Sequence, residues 1–391
     1  FPYTTLFRSD ICQNIRDLTK EQFAFDYVGG IHSANESDST LYNLDDINNK
    51  AYNFLVESIN LYVQKIGEEN FNYEDFYDVI EIERNVERKD NILGDDYRKI
   101  GESYVKDDVE YRQLVCRLPM IFNQIVEFLL RDKNGMYMYD DVSCQMDAYP
   151  EYINFLKFLA DTSKSNVVDV FTLNHDLLFE SFNNVVGLEG KISDGFDDFG
   201  SEYFASIRVE SCDYRCRLER YTGKYDAPIR LYKLHGSLDY VPFYRTVKTK
   251  SIPYAIPQNY IKIKKGIRPF AVEKARRCKR RYDDSLYPYV HADFLSGTKV
   301  KITKYKNIYL YSKLHRHFRN ALKQADLLII IGYGGGDKII SEHLSTYFDC
   351  RSKQAYIIDY KPNEKVRALG DELDAKFLVG KMDEQIKLVN I

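Results

Sequence analysis

Four short stretches of this sequence end an apolar run on residues that can do chemistry. "VFTLNHD" closes on Asn174, His175 and Asp176, and "RLYKLHG" closes on His235 and Gly236. "LLIIIGYGGGD" runs into Gly332, Tyr333, Gly334 and, two glycines later, Asp337; "AYIID" ends at Asp359. An imidazole can accept a proton near neutral pH, and a carboxamide offers both a donor and an acceptor. Glycines let a backbone approach a ligand, and a helix that starts after them favours a phosphate. A carboxylate ending the next strand can accept hydrogen bonds from a ribose. Each residue also has a plainer use. The glycines could only shape a turn, Asn174 and Asp176 could cap the helix begun by "DLLFESF", and His235 could be a satisfied strand-end residue. The glycine pattern is not a full G-x-G-x-x-G, because Asp337 stands where the last glycine would be.

The elements that must hold these groups are legible around them. "NVVDVFTLN", "PIRLYKLHG", "ADLLIIIGYGGG" and "QAYIIDYKPNE" are short, β-branched and apolar without helical spacing, which predicts buried strands. Helical stretches, "YSKLHRHFRNALKQ" and "DKIISEHLSTYF", alternate with the last two strands. That order predicts an α/β fold with a parallel sheet and crossover helices, and ligands bind outside the carboxyl ends of such strands. Residues 44–160 read mainly as helices: in "INNKAYNFLVESINLYVQKI", Ala51, Phe54, Leu55, Ile59 and Val63 fall on one face. "YRQLVCRLPMIFNQIVEFLLRD" and "YPEYINFLKFLADTSK" repeat the pattern, whereas "VERKDNILGDDYRK" reads as a charged loop.

Composition narrows the classes further. With 391 residues, 44% hydrophobic, 29% charged and a formal net charge of −4, the whole chain is not electrostatically fitted to nucleic acid or membrane. No apolar run approaches the ~20 residues of a membrane span, no signal peptide is visible, and seven scattered cysteines read as reduced thiols, so a cytoplasmic protein is expected. A basic insertion is expected at about 245–300. Within it, residues 261–281 carry ten Lys or Arg against one Glu, either an exposed insertion or a local contact surface for an anion or nucleic acid. Residues 1–9, "FPYTTLFRS", match the in-frame translation of a sequencing-library adapter. They are read as an assembly scar, with natural sequence expected before Asp10. The expected organisation is therefore that scar, a helical layer or insertion over 10–160 and a sheet-bearing core over 161–391.

The four motifs together resemble the sirtuin-like (silent-information-regulator-like) family, and its bacterial defence-associated branch more than its protein deacylases. "FTLNHDLLFE" is similar to that branch's T-x-N-[YH]-D-x-L-x-E segment, "YKLHGSLDY" to K-L-H-G-S and "LLIIIGYGGGD" to G-Y-S-x-x-D; "KISDGFDDF", with Asp194, Gly195 and Phe196, is similar to an intervening D-G-F segment. The likeness covers roughly residues 150–375. It implies a Rossmann-like core, NAD as the substrate, and hydrolysis of its nicotinamide–ribose bond in antiphage defence. It implies His235 as the base and Asn174 as the residue that orients the ribose or water. Asp176, Gly332, Tyr333, Gly334, Asp337 and Asp359 would bind the dinucleotide.

Three departures qualify what the resemblance implies. The family's G-A-G-x-S segment, with its strand, is not visible; if it precedes Asp10, a chain that begins at Asp10 is expected to be inactive and the complete protein active. The deacylases' two C-x-x-C pairs are absent, since Cys212 and Cys216 are separated by three residues and have no second pair, so no zinc is expected. The turn reads "GYGGGD", with glycine where serine is usual. The expected partners are NAD or a related nucleotide and either further copies of the chain or a sensor protein. A non-catalytic nucleotide sensor is the alternative function, and an NAD-dependent deacylase a weaker one.

Overall fold

The computed structural model describes residues 46–84, 92–129, 149–209, 212–247, 254–263 and 309–390. Short pieces are also described at 23–25, 31–33, 272–274 and 286–288, with the single residues 15 and 267. The first pair of strands, β1 (Phe23–Phe25) and β2 (Ile31–Ser33), is antiparallel. Four helices follow: α1 (Asp46–Ile66), α2 (Tyr73–Arg84), α3 (Gly94–Ser103) and α4 (Asp108–Leu129). Part of the segment expected to be a charged loop is therefore helical. Its α3 is fixed by one aromatic, Tyr97, which is fully buried with its ring 4.7 Å from that of Phe54 on α1. A single apolar anchor among charges gives no periodic signal.

The chain continues through α5 (Ile153–Thr162), β3 (Val168–Thr172) and the one-turn helix α6 (Leu178–Ser181). Next come β4 (Ile192–Ser193), β5 (Gly195–Asp197), β6 (Tyr203–Val209), β7 (Cys212–Arg217), β8 (Glu219–Lys224) and β9 (Ile229–Lys233). After these lie β10 (Tyr240–Val247), β11 (Tyr254–Lys262), β12 (Glu273–Lys274) and β13 (Leu286–Pro288). The last part alternates α7 (Tyr309–Gln324), β14 (Leu327–Ile331), α8 (Lys338–Tyr347), β15 (Gln354–Asp359), α9 (Glu364–Glu372), β16 (Lys376–Val379) and α10 (Met382–Gln385).

The fold is mixed α/β with a helical N-terminal region. The four apolar runs are strands, as expected, but they pair within two parallel sheets of three strands, β3–β9–β4 and β14–β15–β16, rather than within one. The two sheets share both of their core layers. Leu328, Ile330 and Ile357 from one and Phe171 and Tyr232 from the other pack with helices α7, α8 and α9. On the opposite face, Ile329, Ile358, Val170 and Leu231 pack with α5, α6 and α10. Alternate residues of each strand thus serve opposite faces, which is why the strands read as unbroken apolar runs. Helix α5, expected with the helical layer, belongs by packing to this core. Among the described residues β3 and β14 each pair on one side only, and their apolar residues are mostly half-buried where those of β15 are buried.

The remaining strands are antiparallel, in the orders β13–β10–β11–β8–β5 and β12–β6–β7. Helices α1 to α4 bury their apolar faces against them, for Phe54, Phe76, Leu118 and Phe122 share one core with Tyr203, Val241, Phe243 and Ile261. The segment expected to be an exposed basic insertion departs from that expectation in its described part. Ile261, Ile263, Ile267 and Val272 are buried in this same core, and strand alternation turns Lys262 away from it to Asp194. Residues 264–266, 268–271 and 275–281, which hold most of the charge, lie outside the described residues, as do residues 1–9. No helix among the described residues is long and apolar enough to cross a membrane.

Candidate functional site

The site is built from three loops at the carboxyl ends of β3, β9 and β14. The sequence gives β9 no apolar residue after Leu234, and the chain turns at once: Gly236 adopts φ 86°, and its N–H donates to the Lys233 carbonyl at 3.1 Å. That turn leaves His235 buried, with Nε2 3.1 Å from Oδ2 of Asp337. Asp337 comes from the glycine-rich turn after β14 and is the N-cap of α8. Its Oδ1 accepts from the backbone N–H groups of Ile339 and Ile340 at 3.0 and 3.1 Å. One carboxylate thus ends a helix and orients an imidazole, two partners that the helix N-terminus and the histidine supply from different faces. The expected helix start near Asp337 is where the structure places it.

The third loop brings Asn174, His175 and Asp176. The backbone N–H of Asn174 donates to Thr172 Oγ1 at 3.1 Å, and Asp176 Oδ1 accepts from the Leu178 N–H at 3.0 Å. Asp176 therefore supports the start of α6, the plainer use open to it. The ring of His175 is buried and lies 6.2 Å from that of His235, centroid to centroid. The sequence reading names His175 at this strand end but gives it no role; a second histidine beside Asn174 was the signal for one.

Of the remaining predicted residues, Gly332 has φ 60° and donates its N–H to the Ile358 carbonyl at 3.0 Å, binding the turn to β15. Gly334 is exposed and its carbonyl accepts from Asn363 Nδ2 at 3.0 Å. The Tyr333 hydroxyl donates to the Asp337 carbonyl at 2.6 Å and lies 2.9 Å from Ser341 Oγ, so it ties the turn to α8; burial pushes its phenol up to about 12. Asp359 ends β15 half-buried, beside the turn, with Oδ1 accepting from the Lys361 N–H at 2.7 Å. His235 is brought together with Asp337 and His175; Asn174 precedes His175 in the same loop, Gly332, Tyr333 and Gly334 lie in the same turn as Asp337, and Asp359 ends the neighbouring strand.

Two lysines that the sequence reading did not single out, Lys233 buried and Lys262 half-buried, hold the loops in place. Lys233 Nζ bonds the carbonyls of His175 (3.3 Å) and Asp176 and the Oε1 of Glu180 (3.0 Å). Lys262 bonds Asp194 and lies 3.7 Å from Asp239 Oδ2, which joins the D-G-F segment to the end of "KLHGSLD". Gly195 in that segment has φ 84°, and a Cβ there would meet the Tyr225 ring at 2.7 Å, so only glycine fits. The signal that could have found Lys233 is its place in a strand buried on both faces, where a lone ammonium requires acceptors. On the α7 side, burial first, and then His235 and His343, hold the His315 imidazole down to about 3, so it is neutral at physiological pH.

No group of His, Cys, Asp and Glu among the described residues could hold a metal ion, and the described cysteines Cys116, Cys212, Cys216 and Cys350 are free thiols. With His235 held by Asp337, the arrangement can do acid–base work at an oriented imidazole beside a glycine-rich helix start. No protein-family model and no curated protein matches this chain.

Proposed function

We propose that this protein hydrolyses the nicotinamide–ribose bond of NAD, on a Rossmann-like core, in bacterial antiphage defence. The observation that supports this best is the convergence of His235, Asp337 and the Asn174–Asp176 loop beyond the carboxyl ends of β9, β14 and β3, strands of the two parallel sheets. Ligands of parallel sheets bind there. With Nε2–H donating to the Asp337 carboxylate, Nδ1 is the basic nitrogen of His235, and the carboxylate stabilises the imidazolium that forms. In the hydrolysis, water oxygen bonds to the anomeric carbon while the bond to the pyridinium nitrogen breaks. Nicotinamide leaves neutral, and the proton of the water passes to His235. The transition state resembles an oxocarbenium ion and depends on positioning and charge stabilisation, which the Asn174 carboxamide supplies by orienting the ribose or the water. The Gly332–Gly336 backbone, Asp337 at the start of α8 and Asp359 form the dinucleotide side.

The test uses the protein expressed from its complete reading frame, incubated with NAD. Nicotinamide and ADP-ribose should appear in equal amounts, and His235→Ala or Asn174→Ala should lower the rate by about 10²–10⁴-fold. Nucleotide binding without release in the unsubstituted protein would instead establish the sensor reading, and release only with an acylated peptide would establish a deacylase.

A further inference from the structure

We propose that Lys233 is a positioning residue: its ammonium grips the loop that carries Asn174 and His175 and sets where that loop stands relative to His235. The consequence for turnover rests on the reading above; the grip on the loop does not. Lys233 is the last residue of β9 and is 1% exposed, between Tyr232 and Leu234, both buried. Its three N–H donors have three acceptors, the carbonyls of His175 and Asp176 and the carboxylate of Glu180. All three lie in residues 175–180, so the ammonium is spent entirely on one loop and the helical turn that follows it.

An ion pair alone does not account for this. Burying a charged pair is often no better for stability than burying apolar groups of the same volume. Here burial pushes the Glu180 carboxyl up, against the pull of Lys233 and Lys262. What apolar residues could not supply is the hold on two successive backbone carbonyls. Main-chain bonds also tie the segments. The Leu234 N–H donates to the Thr172 carbonyl at 2.9 Å, and the Leu238 N–H donates to the His175 carbonyl at 3.1 Å. Lys233 adds a side-chain tie to them, two residues before His235 on the same chain. Loop and imidazole are thus referred to one short stretch, 233–238.

The experiment compares Glu180→Gln, Lys233→Met and the double variant Lys233→Met/Glu180→Gln with the unsubstituted protein from the complete reading frame. It measures thermal unfolding, hydrogen–deuterium exchange of residues 174–178, and kcat and KM for nicotinamide release. The double variant removes both charges and should unfold within a few degrees of the parent. Its 174–178 amides should nevertheless exchange about tenfold faster, and kcat should fall about 10²-fold with little change in KM, as a misplaced group requires. Glu180→Gln keeps the grip and should keep parental exchange and kcat within about threefold. If the double variant recovers stability, exchange and kcat together, Lys233 serves only charge balance and the proposal is overturned. It is overturned equally if Glu180→Gln loses as much as Lys233→Met, and this comparison decides if the double variant fails to fold. If the parent releases no nicotinamide, the hydrolase reading fails, while the exchange data still decide for or against the grip.

Discussion

The loop after β3 and the turn after β14 meet at the same histidine, yet they are held in different ways. The glycine turn is fastened by neighbours close in sequence or on the adjacent strand: Gly332 to Ile358, Tyr333 to Asp337, Gly334 to Asn363, and Asp337 to the first N–H groups of α8. These are many modest bonds, of about 1 kcal/mol each. The Asn174–Asp176 loop has fewer such ties and instead rests on Lys233, with Glu180 and the Lys262 network around it. A structure distributed over many small bonds degrades gradually; one concentrated on buried charge fails when a single side chain is lost.

That contrast can be broken most severely at Lys262. Lys262→Met leaves Asp194 and Asp239, the latter 4% exposed, without their cation. It should cost about 3–5 kcal/mol in denaturant unfolding; a loss below about 1 kcal/mol would place the network's contribution at the level of a surface pair. The next largest effect concerns pH. His315 is neutral in the fold down to about pH 3, whereas the unfolded chain takes up a proton near 6.5. Unfolding is therefore favoured as pH falls below 6.5, by about 2 kcal/mol at pH 5 from this residue alone. His315→Leu should flatten the stability profile between pH 6.5 and 3; an unchanged slope would assign the loss to other groups. His343, lowered by burial and Arg319, and His317 contribute in the same direction.

The smallest effects lie in the glycine turn and separate its members. Gly335 has φ 69°, and an added Cβ would come 2.9 Å from Lys365 Cβ, so Gly335→Ala should cost roughly 1–3 kcal/mol. Gly334, with nothing within 4 Å of such a Cβ, should accept alanine within about 0.5 kcal/mol. Equal costs at the two positions would mean that the turn is shaped by something other than the backbone angle and the contact with α9.

The same physics decides which parts of the molecule are legible in its sequence. Strands β3, β9, β14 and β15 are covered by helices on both faces, so they read as apolar runs; their polar ends mark Asn174, His235 and Asp359 as strand-end residues, and the glycines after β14 mark the helix start at Asp337. The antiparallel strands give no such signal. β7, for instance, is "CDYRCR", exposed at all but Cys216, and β11 and its neighbours hide core isoleucines among lysines. The His235–Asp337 bond joins residues 102 apart, and no local pattern encodes a pairing that only the order of strands creates. Lys233 and Lys262 escape a sequence reading because a lysine ordinarily faces water.

Lys233 has a further electrostatic consequence. In a trans peptide the carbonyl and the following N–H point in opposite directions, and the chain contains no cis peptide among the described residues. By drawing the carbonyls of His175 and Asp176 toward itself, the ammonium turns the N–H groups of Asp176 and Leu177 the other way. Two successive peptide dipoles then present their positive ends on the face of the loop away from the lysine. A cation sealed in the core thus sets the polarity of a loop surface that it never touches.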